Sequence, residues 1–220
     1  MKTKTAARKT YTAPEAESNG TRERIFKSAE ALFIERGFDG VSINDVAVHA
    51  NVAKGLVFYY FENKKNLFDM VLDRYYADQA AALIEAIGSK GTVRERIHAG
   101  IDAYLDFVEK NPGYPRFIQR EICSGSQNME KTVQYMMPMQ RWGESVFGDL
   151  FPAEGPLSPR HFFISVFGMA INYYTYMPVL ERLWAGDPMA VTALAERREH
   201  LHFVLDALID KFAVGEKLMN

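Results

Sequence analysis

The chain carries one cysteine in 220 residues, Cys123, so an intrachain disulfide framework is excluded and nothing asks for an oxidising compartment. No base neighbours it in sequence, so an inert, buried thiol is expected. An export signal is also missing: the segment from Met1 to Lys9 is basic and polar, with no apolar stretch behind it. A reducing cytoplasm is the expected location. No run of strict apolar and polar alternation argues for strands. There is no glycine loop of the kind that cradles phosphate, and no paired-carboxylate arrangement. His98, His161, His200 and His202 are scattered, and the last two sit two residues apart, which points them to nearly opposite sides of a helix. The sequence therefore calls for no metal, no cofactor and no catalytic site.

Long apolar runs are scarce too. One stretch, from Phe162 to Leu180, runs nineteen residues without a charge. Its length alone admits a membrane span, but Ser165, Gly168, Asn172, Thr175, Pro178 and three tyrosines leave it only moderately hydrophobic. A buried helix is expected, and no membrane partner.

What is present is 48% hydrophobic content, enough to bury a core, and a net charge of −2 that is unevenly spread. Residues 1–68 hold 11 Lys/Arg against 8 Asp/Glu, while residues 69–220 hold 15 against 20. A basic front and an acidic back suit a front that meets a polyanion.

Periodicity divides the chain into a flexible arm (1–20), a compact unit of three short helices (21–67) and a helical remainder (68–220). The arm lacks apolar periodicity and ends at Asn19-Gly20. Ile25, Ala29, Leu32 and Phe33 then recur at helical spacing, closed by Gly37-Phe38. Ser42 with Asp45 makes a capping box for a second helix whose apolar face is Ile43, Val46, Ala47 and Ala50. Asn51 tolerates a left-handed backbone, so Ala50-Asn51-Val52 is a tight turn into a third helix, Lys54 to Phe61. Asn63 caps the next helix, through Leu67 and Val71. Further on, Thr92 with Glu95 caps a helix ended by Asn111-Pro112-Gly113, and more helices are expected over about 114–122, 127–148, 159–184 and 188–212. The fold class is all-α.

Two short helices joined by a tight turn, behind a supporting helix, are the layout of a helix-turn-helix DNA reader. The third helix buries Val57 and Phe61, leaving Lys54, Gly55, Leu56, Phe58 and Tyr59 to face outward. Exposed aromatics beside a lysine are costly on a free surface and want a partner.

The residues Gly37-Phe38, Val41 to Ala47, Ala50 to Phe61 and Lys64 to Leu67 together resemble the DNA-binding signature of TetR-type (TetR/AcrR) transcriptional regulators. That resemblance covers about a fifth of the chain. It implies about nine helices: a helix-turn-helix domain, then a ligand-binding and dimerisation domain. It further implies that Ser42 and Asn44 approach phosphate or base, that Lys54, Gly55 and Leu56 read bases, that Phe58, Tyr59 and Tyr60 pack on the sugar-phosphate backbone, and that Lys64 binds phosphate. Phe58 stands where the family usually has tyrosine, Leu56 where a small or hydroxylated residue is common, and Asn51 where glycine occupies the turn. These departures bear on which bases are read.

Beyond residue 100 the large apolar side chains suit a cavity between helices, with Tyr104, Phe107, Phe117, Trp142, Phe167 and Tyr174 as candidate ligand contacts. The expected effector is small and apolar or aromatic, with an acidic group near Arg120 or Arg141. The resemblance implies a homodimer through the last two long helices, with Gly168 and Ala170 allowing close approach and Val204, Leu205, Leu208 and Phe212 contributing. The reading is a dimeric repressor released from a palindromic double-stranded DNA operator by that effector. The alternatives are a DNA-binding regulator without a small-molecule ligand, and a helical enzyme.

Overall fold

The computed structural model describes residues 15–88, 90–125, 129–147, 152–156 and 158–219. Ten helices occur among the described residues and no strand. The chain divides into a unit ending at Val71 and a unit beginning at Leu72.

In the first unit, α1 (Glu15–Arg36) opens six residues ahead of the expected Thr21. The reason lies in its first residues: glutamate and alanine are strong helix formers, and together they carry the helix through Asn19-Gly20 at a cost of about 1 kcal/mol for the glycine. Residues 1–14 of the expected arm lie outside the described residues. The helix ends at Gly37, whose φ of 74° is the left-handed conformation glycine adopts freely. Ile25, Ala29, Leu32 and Phe33 are buried as their spacing requires.

The capping box forms as read: Ser42 Oγ accepts from the Asp45 amide at 3.2 Å, and the Ser42 amide donates to the Asp45 carboxylate at 2.8 Å. It starts α2 (Ile43–His49), which buries Ile43, Val46 and Ala47. Asn51 takes a left-handed φ of 51° and turns the chain into α3 (Lys54–Phe61). The opening residues of α4 (Lys64–Ile87) complete this core, with Phe68 edge-on to both Phe33, at 5.0 Å, and Phe38, at 4.9 Å. That packing, with Val71 fully buried, is why the unit extends past the expected boundary at residue 67.

The second unit comprises the rest of α4, then α5 (Val93–Lys110), α6 (Tyr114–Ser124), α7 (Met129–Phe147), α8 (Pro159–Thr175), α9 (Met177–Leu183) and α10 (Val191–Met219). The single helix expected over 159–184 is two. Pro178, in the first turn of α9, has no amide to continue the α8 ladder, and the chain bends at Tyr176. One core cluster joins Ile97 of α5, Phe162 and Val166 of α8, and Leu205 and Ile209 of α10.

Helices α5 and α10 share a pattern along one face: Arg94, His98, Asp102 and Asp106 on the first, Arg198, His202, Asp206 and Asp210 on the second. The two sets pair reciprocally. Arg94 reaches Asp206 and Asp210, while Arg198 reaches Asp102 at 2.9 Å and Asp106 at 2.6 Å. At the centre His98 bonds Asp206 at 2.9 Å, His202 bonds Asp102 at 2.8 Å, and the two rings meet edge to face at 4.3 Å. This half-exposed ladder fixes the register between the two helices over an apolar seam.

Candidate nucleic-acid interface and effector cavity

The short helix α3 is held on one side only. Val57 and Phe61, one turn apart, are buried, each contributing about 2 kcal/mol of apolar burial. The Arg22 guanidinium lies over the Phe61 ring at 5.3 Å, and Arg24 Nε donates to the Ala50 carbonyl at 3.0 Å, closing the end of α2.

The other side is bare. Tyr59 is 77% exposed, Phe58 44% and Leu56 39%, and Lys54 and Gly55 are exposed beside them. Lys54 Nζ stands 5.8 Å above the Phe58 ring, and a side chain added at Gly55 would meet no other atom within 4 Å. Backbone can therefore be approached closely there. Tyr60 is half-buried, edge-on to Tyr59 at 5.0 Å. Asn44 and Ser42 are exposed at the start of α2. Lys64 is more constrained than its sequence position suggests: Nζ donates to the Phe38 carbonyl at 3.0 Å and lies 4.0 Å over that residue's ring. Two of its three donors remain. The nine candidate DNA contacts thus lie along α2, α3 and the first turn of α4, with no acidic side chain within α3.

In the second unit a cavity of about 70 Å³ opens between α4, α5 and α8, walled by Leu83, Ile97, Tyr104, Phe162, Val166 and Phe167 among others. A smaller hollow of about 10 Å³ adjoins Tyr76, Gln79, Tyr114, Tyr135 and Phe167. Of the six candidate ligand contacts, Tyr104 and Phe167 line the 70 Å³ cavity. Phe107, Phe117 and Tyr174 do not: Phe107 packs edge-on to Tyr114 at 4.9 Å, Phe117 lies against Tyr75, and the Tyr174 hydroxyl donates to Glu109. They belong to helix contacts, where single-sequence periodicity cannot separate wall from core. The side chain of Trp142 lies outside the described residues.

Arg120 and Arg141 are exposed and line neither hollow, so the expected acidic group has no cation waiting for it there. Sequence reasoning missed Tyr76, Gln79 and Leu83, three residues on one face of α4; their spacing of three and four was the available signal. A third hollow, of about 410 Å³, mixes Asp187, Glu196, Arg197 and His200 with the exposed Trp184.

Two further expectations are corrected. Cys123 is exposed, because the buried face of α6 is Tyr114, Phe117, Ile118 and Glu121. Leu205 is fully buried in the chain's own core, with the partly buried Leu208 packed against it, and Ala170 is fully buried at the cavity wall, so Leu205 and Ala170 are not left for an external helix. Phe212 falls on a side chain outside the described residues. Among the described residues no helix is long and apolar enough to cross a membrane.

The family model for bacterial regulatory proteins of the tetR family matches residues 25–71. Among curated relatives, the HTH-type transcriptional activator FasR of Mycolicibacterium smegmatis is 24% identical over 48% of this chain and 49% of its own length. The HTH-type transcriptional repressor NemR of Escherichia coli is 35% identical over 36% of this chain and 40% of its own. The chain thus spans about half or less of the length of these two relatives. Over a greater length, the crystal structure of the transcriptional regulator FadR from Bacillus subtilis in complex with stearoyl-CoA superposes with a TM-score of 0.63 at 15% identity, covering 83% of this chain and 96% of that one. The matched segment holds both helices, the left-handed turn and the exposed aromatic face just described, and over that segment the chain is similar to the tetR family of bacterial regulatory proteins.

Proposed function

We propose that this protein is a DNA-binding transcriptional regulator, acting as a dimer on a roughly palindromic operator and released from it by a small, mostly apolar effector. One observation carries the reading: α3 exposes Lys54, Leu56, Phe58 and Tyr59 on the face opposite its buried Val57 and Phe61. A lysine donates to guanine acceptors, leucine contacts a thymine methyl, and a tyrosine hydroxyl reaches phosphate oxygen. Two such helices in a dimer enter successive major grooves about 34 Å apart. The names of the relatives support regulation over enzymatic activity; FasR is named an activator and NemR a repressor, and release on effector binding is the mode proposed here.

Dimerisation is assigned to α8, α9 and α10. Their exposed apolar residues Ile164, Val179 and Phe203, the last 71% exposed, replace the inward-facing Leu205 as the contact. The effector enters the cavity at Tyr104 and Phe167. At about 70 Å³ that cavity is smaller than the roughly 300 Å³ a ligand pocket commonly spans, so binding must move the side chains around it. A ligand shifts an equilibrium only by its differential affinity, typically about 1–3 kcal/mol of coupling, and the widened form is the one that lets go of DNA.

The test is fluorescence anisotropy with DNA from upstream of the protein's own coding sequence. Binding that falls steeply with added salt, as counterion release demands, supports the reading. A chain that ignores this DNA at low salt overturns it.

A further inference from the structure

The apolar cavity of the second unit ends in a knot of buried polar groups whose hydrogen bonds are incomplete. Tyr104, which lines the cavity, is 3% exposed, and its hydroxyl has no hydrogen-bond partner among the described residues. Gln79 is 3% exposed; its Oε1 accepts from the Tyr114 hydroxyl at 3.0 Å, while its Nε2 has no partner among the described residues. The Tyr76 hydroxyl, one turn before Gln79 on α4, is buried beside Thr132 without a well-formed bond. A buried donor left unpaired costs about as much as a lost hydrogen bond, so three in one place are a standing destabilisation.

The inventory gives the sign of the missing partner. Gln79 has already committed its acceptor and has an amide N–H left to give. Both tyrosine hydroxyls are free to donate. What fits is an acceptor. It must also be uncharged: no cationic side chain lines either hollow among the described residues, and the buried Glu121 stands near enough to Tyr76 to disfavour a second negative charge. Burial raises the titration of the Tyr76, Tyr104 and Tyr114 hydroxyls, which marks the same region as hostile to anions. Phe167 belongs to the walls of both hollows, so its ring is the partition between the apolar cavity and the polar knot.

We infer that the effector is a neutral, mostly apolar molecule with one carbonyl-type acceptor, an ester or ketone, which displaces Phe167 and seats that oxygen on Gln79 Nε2 and the Tyr104 hydroxyl. This deepens the effector role proposed above and rests on it. It replaces the acidic ligand expected from sequence, since Arg120 and Arg141 are exposed and line neither hollow.

The experiment compares methyl benzoate, benzoate and ethylbenzene on the full chain by calorimetric titration, with Tyr104→Phe and Gln79→Met alongside. Methyl benzoate is expected to bind about tenfold more tightly than benzoate and about fivefold more tightly than ethylbenzene. Tyr104→Phe removes that preference, weakening the ester about fivefold while leaving ethylbenzene unchanged, and Gln79→Met does the same. Because Tyr104→Phe deletes an unpaired hydroxyl and keeps the ring, it should also raise the melting temperature of the ligand-free chain. Benzoate binding as tightly as its ester, the same loss for ester and hydrocarbon in Tyr104→Phe, or no binding of any of the three overturns the inference. Release from DNA is read separately: an ester that binds through Tyr104 yet leaves DNA bound keeps the site and removes the regulatory role.

Discussion

The two units use aromatic side chains in opposite ways. In the first, Phe33, Phe38 and Phe68 lock a dry core while Phe58 and Tyr59 are pushed into solvent on a helix of eight residues. In the second, Phe162, Phe167 and Tyr104 face inward and still fail to close: they surround a cavity, and the Tyr76 hydroxyl and the Gln79 amide beyond it lack partners among the described residues. An exposed apolar face and an incompletely filled core are both uphill choices for a monomer. Each becomes favourable only when something covers or fills it, which is the physical basis of the reader and sensor roles proposed for the two units.

The largest effect separating them should come from Phe61→Ala. Removing a fully buried ring costs about 3–5 kcal/mol, and DNA binding should vanish while the second unit keeps its helical signal and effector affinity in thermal melts followed by circular dichroism. Next come Lys54→Ala and Tyr59→Ala, which touch nothing in the core. Each should weaken operator affinity by about 1–3 kcal/mol, roughly 10- to 100-fold, without moving the melting temperature. Ser42→Ala removes the cap that starts α2 and should cost about 1 kcal/mol in the first unit alone, seen as a lower denaturant midpoint.

The smallest effect is a pH dependence. Hydrogen bonds from Ser42 hold the Asp45 carboxyl below its ordinary 3.8, and those from Thr92 hold Glu95 below 4.5. Burial pushes Asp206 upward, but the hydrogen bonds from Arg94 and His98 win and leave it low. Carboxylates with lowered folded values stabilise above their ordinary values, and that support is lost as pH falls through the folded ones. Both units should therefore weaken below about pH 4, the second more, because the α5–α10 ladder adds Asp206 to its capping box. Acid melts that leave the Thr92 and Asp206 helices untouched would break this part of the comparison.

The first unit was legible because its determinants are local. Ser42 and Asp45 are three residues apart, Asn51 makes its own turn, and Val57 and Phe61 lie one helical turn apart, so sequence spacing carries the geometry. The second was legible only as helices. Whether Phe107 or Phe167 faces a cavity depends on which neighbour fills the space opposite, and no spacing reports that. The reciprocal Arg-His-Asp-Asp series is written plainly on each of two segments, yet its pairing needs helices about a hundred residues apart to lie side by side. Reading His200 and His202 as a pair missed that His202 belongs with His98. Pro178, which lowers the hydrophobicity of its segment, also breaks α8 from α9, and the helix formers ahead of Thr21 outweigh Asn19-Gly20.

The central claim is that α3 is the surface that lies against the duplex. Hydroxyl-radical footprinting on DNA upstream of the coding sequence, with wild type and Tyr59→Ala at matched concentrations, tests it most directly. Wild type should protect two patches one helical turn apart about a dyad, and Tyr59→Ala, equally folded, should leave the backbone open. Identical protection by both proteins would place the DNA contact elsewhere on the molecule.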